Sequence, residues 1–159
     1  PAQQAYYTAF KEKYEKVADW HKELEKEAVK TKEIKLPSGR TYSFPDAKWT
    51  EWGAATNRTA ICNYPVQGFA TADLLPIALV KLDKVMRELG MKSVICNTVH
   101  DSIVLDVHPD EKDQCVRVLS EAMLSISDGS KARYGLEYDM PIGIELKIGN
   151  NWLDLTEIK

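Results

Sequence analysis

Nowhere in its 159 residues does the chain string together about eighteen apolar residues, the length a membrane-crossing helix needs. Its first turns are charged and hold no apolar stretch ending in small residues, so the expectation is an untargeted, cytoplasmic protein with no membrane partner. Cysteine is scarce. Cys62, Cys96 and Cys115 are odd in number and show no C-x-x-C spacing, which argues against a disulfide framework or a zinc knuckle. All three lie in segments that read as buried helix or strand, and reduced, packed thiols are expected. A basic excess is also missing: Lys and Arg total 21 against 24 Asp and Glu, a net charge of -3. A protein that grips nucleic acid by bulk charge is thereby disfavoured, and any phosphate or base contact has to come from local groups. What is present, 44% hydrophobic and 28% charged residues, is the composition of one folded globular domain with a core of moderate size.

Periodicity divides the chain. Tyr7, Phe10, Tyr14, Val17, His21, Leu24 and Ala28 recur at steps of three and four among Lys and Glu, which predicts one long amphipathic helix supported by pairs such as Glu23 with Lys26. Glu33 to Leu36 and Arg40 to Phe44 flank Pro37-Ser38-Gly39, the makings of a short hairpin. Residues 50–60 can be helical. A loop at Asn63-Tyr64-Pro65 is expected next, then a helix over about 67–89 with Leu75, Leu79, Leu82, Met86 and Leu89 buried. Pro76 should kink that helix or mark its real start, and Gly90 should stop it. Ser93 to Val99 and Ile103 to Val107 are β-branched runs around His100-Asp101-Ser102, hence an antiparallel hairpin with that triplet at its tip. Pro109 with Asp110, Glu111 and Asp113 opens a helix reaching about Asp128-Gly129, and a last strand covers Ile142 to Ile148. The fold class expected is α+β, helices packed on a small antiparallel sheet.

Asp101 is the informative carboxylate. At a tight turn between two apolar strands it would project from a rigid scaffold, which suits a ligand for a hard, oxygen-seeking cation such as Mg²⁺. Taken by itself the triplet also reads as ordinary turn chemistry, because Asp bonds its own backbone in turns, and one carboxylate does not make a two-metal site. A His-Asp metal phosphohydrolase is disfavoured: that chemistry needs the pair on a helix with further histidines converging, whereas this pair sits between strands and only His21 and His108 remain. His108 reads as a helix-terminal residue, and His21 as a packed one on the helix stripe.

Several motifs act in combination. Leu36-Pro37-Ser38-Gly39-Arg40, Arg58, Asn63-Tyr64-Pro65-Val66-Gln67-Gly68, Ala72-Asp73, Thr98-Val99-His100-Asp101-Ser102, Pro141 and Gly149-Asn150-Asn151-Trp152 occur in this order along the chain. In order and spacing they resemble family A DNA polymerases of the bacterial DNA polymerase I type, over nearly the whole length. The resemblance implies a partial polymerase palm with the tail end of the fingers, divided as 1–48 for the C-terminal part of the fingers and 49–159 for that of the palm. It implies that Asp101 binds two Mg²⁺ ions together with an aspartate of an earlier strand, and that His100 approaches the primer terminus. Arg58, Asn63 and Gln67 would face the minor groove of the new duplex, where every correct pair offers acceptors at purine N3 and pyrimidine O2, so that donors test geometry without reading sequence. Read without the resemblance, Gln67 caps or begins a helix, Asn63 steadies the loop before Pro65 and Arg58 is a surface ion-pair partner.

Three features depart from the bacterial pattern. Ser102 stands where bacterial members have glutamate, Arg58 lies nine positions before Gln67, one more than in those members, and Pro76 interrupts a helix that is continuous in them. The wording around Gln67 and the serine after Asp101 are nearer to phage members, for which the compartment would be the host cytoplasm. Nothing resembles the earlier palm strand with its Asp and Glu, or the fingers helix that holds the incoming nucleotide. The expectation is therefore a fragment, inactive alone, whose partners are primer-template DNA, dNTP and the missing N-terminal part of the polymerase. The alternative is a non-catalytic duplex-binding or assembly module completing a polymerase.

Overall fold

The structure, a computed structural model, describes residues 2–158. It falls into two compact units, the first ending at Phe69 and the second beginning at Ala70.

In the first unit, α1 (Ala2–Lys13) and α2 (Glu15–Thr31) replace the single expected helix, because Tyr14 takes a ψ of 53° and leaves the helical region. Only the C-terminal half of the stripe is buried, at Leu24 and Ala28; Phe10, Tyr14 and Val17 stay exposed, and the side chain of Tyr7 lies outside the described residues. Lys32, left-handed at φ 64°, ends α2 and sends the chain into β1 (Glu33–Lys35) and β2 (Thr41–Ser43). They pair antiparallel with Ile34 opposite Tyr42, around the expected turn, in which Gly39 takes the φ of +87° that favours glycine. Leu24, Ala28, Ile34, Leu36, Phe44, Ala47, Ala55 and Ile61 form the core.

Residues 50–57 are not helical. Trp49 bridges Ala55 across a tight turn with Gly53 at φ +73°, and α3 begins only at Arg58 and runs to Gly68. The expected loop at Asn63-Tyr64-Pro65 is thus helix. Pro65 removes one backbone donor, yet Ile61 and Pro65, one turn apart, are both buried, and that burial offsets the missing hydrogen bond. Gly68 has no room for a side chain, since a Cβ there would stand 1.8 Å from the Tyr42 hydroxyl.

The backbone then widens into a π-helical turn over Phe69–Leu74, most of it in the second unit, before α4 (Leu75–Glu88). Pro76 lies in the first turn of α4, directly after the π-helical turn, so the helical backbone continues through it and the proline, which has no N–H to give, follows a locally widened stretch. The buried stripe is Leu75, Ala78, Leu82 and Met86; Leu79 is only half-buried and Leu89 is exposed. After Gly90, at φ +63°, come β3 (Val94–Val99) and β4 (Ser102–Asp106), antiparallel, with the ladder shifting register between Ile95 and Asn97. A 3₁₀ turn at Pro109–Glu111 leads into α5 (Lys112–Leu124) and α6 (Ile126–Tyr134), two helices where one was expected. Gly129 is not the stop. It lies inside α6, where a Cβ would come within 2.4 Å of Ile77 Cγ2, so it is a packing glycine; the left-handed stop is Gly135 at φ +69°.

The last expected strand shrinks to β5 (Leu146–Ile148) and pairs with β6 (Thr156–Ile158), which the sequence pattern did not suggest. Leu82, Met86, Val118 and Ala122 make the core of this unit, with Ile95, Ile103 and Leu105 of the hairpin packed against it. The class is α+β as expected, with the strands arranged as three separate two-stranded ladders. Among the described residues no helix is long and apolar enough to cross a membrane. All three cysteines are free; Cys115 is buried and Cys62 half-buried, whereas Cys96, at the ladder irregularity, is exposed rather than packed.

Candidate functional site

The β3–β4 hairpin closes through a two-residue turn, His100-Asp101. His100 adopts φ +54°, a region a histidine enters more readily than most residues but still at some cost, and Ser102 Oγ donates to Val99 O at 2.8 Å across the turn. The turn therefore fixes the backbone of Asp101 and leaves its carboxylate exposed to solvent. Among the described residues no three His, Cys, Asp or Glu side chains converge as a metal cage. Asp101 fits the part of one oxygen ligand of a shared site; it cannot hold a hard divalent ion alone.

On α3, Asn63 and Gln67 are one turn apart, and Asn63 Nδ2 donates to Gln67 Oε1 at 2.8 Å. At roughly 100° per residue, Asn63 stands about 200° around the helix from Ile61. The face that carries Ile61 and Pro65 is buried, so Asn63 and Gln67 are presented on the opposite, exposed side. The i,i+4 bond sets both amides as one unit, turning the Gln67 carbonyl to Asn63 and its NH₂ the other way.

Arg58 is elsewhere. It is the first residue of α3, about 140° from Asn63 and about 180° from Gln67 around the helix. Its Nε donates to Glu25 Oε1 at 2.8 Å, and Glu25 Oε2 accepts from Ala55 N at 2.8 Å. The Glu25 side chain is only 5% exposed, so the pair joins α2 to the start of α3 in a setting that solvent screens weakly. Arg58 is an ion-pair partner, but not of a surface acid: its carboxylate is buried, and periodicity concealed that role because Glu25 follows Leu24 on an otherwise charged helix. His21, beside this pair, has its pKa lowered by burial and then by the Arg58 charge.

A second carboxylate missed by sequence reasoning is Glu111. Its oxygens accept from Ser93 Oγ at 2.6 Å, Ser93 N at 2.8 Å and Lys92 N at 2.9 Å. The Ser93 hydroxyl first, then the two backbone N–H groups, pull its pKa down to about 2. Because the folded value lies below the ordinary carboxylate value of about 4.5, this stabilisation is complete above pH 4.5 and lost as pH falls toward 2. The denaturant midpoint of the second unit is accordingly expected to fall as the pH drops from about 4.5 to about 2. Glu111→Gln should flatten the slope, and equal slopes in the two proteins would contradict the assignment. His108 is helix-terminal as expected: its Nδ1 accepts from Asp110 N at 3.4 Å at the start of the 3₁₀ turn.

Comparison with known proteins places the chain. The family model described as DNA polymerase family A matches residues 2–154. The DNA polymerase of Bacillus phage SP01 is 31% identical over 147 residues, 91% of this chain and 16% of that protein. The thermostable DNA polymerase I of Thermus aquaticus is 30% identical over 156 residues, 97% of this chain and 17% of that one. The chain thus spans about a sixth of the length of these relatives. Among solved structures, the POL domain of Pol1 from M. smegmatis, in complex with DNA primer-template and dNTP, superposes with a TM-score of 0.60 at 24% identity, covering 69% of this chain and 19% of that one, which shows a shared fold. The chain belongs to DNA polymerase family A.

Proposed function

We propose that this chain is the C-terminal palm part, with the tail end of the fingers, of a template-directed DNA polymerase, inactive alone. The observation that carries the reading is the hairpin tip: a solvent-facing carboxylate, Asp101, on a turn fixed by its own backbone, in a chain of this family. Asp101 supplies one oxygen ligand to a Mg²⁺ site completed by an aspartate outside this chain. When bound there, Mg²⁺ lowers the pKa of a primer 3′-hydroxyl and neutralises charge at the attacking and leaving oxygens. Asp101 holds its ligand oxygen at the tip, and His100, on the same turn, meets the primer terminus.

Asn63 and Gln67 form the duplex contact. Two amides locked together offer donors to the minor groove, where a mismatch displaces the acceptors and leaves donors unpaired, costing about 1–3 kcal/mol each. Arg58 belongs to this reading through Glu25: it secures the start of α3, and the groove contacts fall to the amide pair. The partners are primer-template DNA, dNTP and the rest of the polymerase.

The test is extension from matched and mismatched primer ends by this chain joined to a polypeptide supplying the earlier palm strand and fingers helix. Gln67→Ala is expected to narrow the matched-to-mismatched ratio by about tenfold, the equivalent of one lost donor. An unchanged ratio would remove the fidelity role. A chain that binds duplex but supports extension in no pairing would favour an assembly module without catalysis.

A further inference from the structure

Little of the β3–β4 hairpin is held by packing. Along β3 only Ile95 is even half-buried, and Val94 and Val99 are 52% and 40% exposed. Apolar contact with the core comes through Ile95, Ile103 and Leu105 alone. The base of the hairpin is built differently. Ser93 is 4% exposed, and its hydroxyl both donates to Glu111 and accepts from His108 N at 2.9 Å. Glu111 also gathers the N–H groups of Lys92 and Ser93, the two residues just before β3. It stands at the end of the 3₁₀ turn, immediately before α5, and α5 is fixed to the core by Cys115, Val118 and Ala122.

We infer that Glu111 is the positioning residue of the Asp101 hairpin: one carboxylate clasps the entry to β3 and, through the Ser93 hydroxyl, the exit from β4, and ties both to α5. The inference rests on the metal-ligand reading of Asp101 only for its functional consequence. Leverage gives it weight. β3 has six residues, so the tip stands roughly 20 Å from the clasp at about 3.4 Å per residue. A tilt of about 3° at the base moves a tip at that distance by about 1 Å, a displacement that can cost about 100-fold in rate at a reacting centre. The low pKa of Glu111 agrees with a carboxylate that receives three donors and stays ionised while doing so.

The experiment is amide hydrogen exchange on this chain, with Mn²⁺-induced line broadening, in the chain mixed with a polypeptide that supplies the earlier palm strand and its aspartate, as a second readout. In Glu111→Gln the carboxamide sets its own NH₂ against a ring of donors. Exchange at Lys92, Ser93, His108 and through β3 is then expected to quicken about tenfold or more, with α4 and α5 unchanged. Glu111→Asp, which keeps the charge with a shorter reach, should fall between. Ser93→Ala, the milder variant should the first not fold, should release His108 while Lys92 stays protected. Unchanged hairpin protection, or protection lost in equal proportion in α4 and α5, overturns the clasp. In that mixture Mn²⁺ should broaden the His100 and Asp101 signals, not with Asp101→Asn, and only at higher Mn²⁺ with Glu111→Gln. Equal Mn²⁺ requirements for the Glu111→Gln and unsubstituted chains in the mixture would overturn its link to Asp101. Absence of broadening in the unsubstituted mixture would take down the metal reading of Asp101, and exchange would still decide the clasp.

Discussion

Leu82→Ala is expected to destabilise the second unit by about 2–5 kcal/mol, the cost of a fully buried leucine lost to a cavity. Leu82 is 0% exposed at the centre of α4 and packs with Met86, Val118 and Ala122, so its removal opens a void between α4 and α5 that neither helix can close without moving. Against a domain stability of about 5–15 kcal/mol, that is a large fraction. The denaturant midpoint should fall with the slope unchanged. Val80→Ala on the same helix, at a side chain 63% exposed, should shift it by less than about 0.5 kcal/mol. Equal shifts for the two variants would mean that α4 does not pack through the face described.

In the mixture with a polypeptide that supplies the earlier palm strand and the fingers helix, Asp101→Asn is expected to lower the rate of nucleotide addition by about 10³-fold or more, a barrier increase of about 4 kcal/mol. Asparagine keeps the size of the side chain and its place in the turn, and loses the charge that makes a carboxylate a ligand for a hard cation. Asp101 is exposed, so the substitution removes no core contact, and the melting temperature and affinity for primer-template should stay close to those of the unsubstituted chain. Loss of rate with both preserved would locate the defect in the chemical step; parallel loss of DNA binding would instead make Asp101 a structural residue of the tip.

The parts of the fold legible in the sequence are those in which local chemistry and burial agree. The turn at Gly39 joins two short runs of alternating polar and apolar residues, the His100-Asp101 tip separates two β-branched ones, and both hairpins formed as read. Periodicity located α2 and α4, but it could not show that Tyr14 and Ser125 break their helices, because both breaks leave the three-four spacing of apolar residues intact. Pro65 misled in the other direction: proline usually opens a helix or ends one, and here burial beside Ile61 outweighs its missing donor. The helix was expected to end about Gly129, whose task is instead to admit Ile77, a contact between residues far apart in sequence. β6 escaped because a strand of three residues has too little alternation to be seen.

The site divides along the same line. Asp101, His100, Asn63 and Gln67 lie in motifs whose order carries the family resemblance, and the one-turn spacing of Asn63 and Gln67 already puts them on one helix face once the segment is known to be helical. Glu25 and Glu111 were invisible because their partners, Ala55 with Arg58 and Lys92 with Ser93, lie far along the chain. Glu111 was read only as an acid suited to a helix start. The partnership of Arg58 was foreseen as a possibility of its charge, but which acid it would meet was fixed by the packing of α2.

In the proposed function, this chain contributes the metal-binding carboxylate of a polymerase site. The most direct measurement is primer extension in Mg²⁺ by the chain mixed with a polypeptide that supplies the earlier palm strand and the fingers helix, each tested alone and together. Synthesis is predicted only when both are present, and its loss when the chain carries Asp101→Asn. Synthesis that proceeds equally well with Asp101→Asn, or with this chain left out, would contradict it.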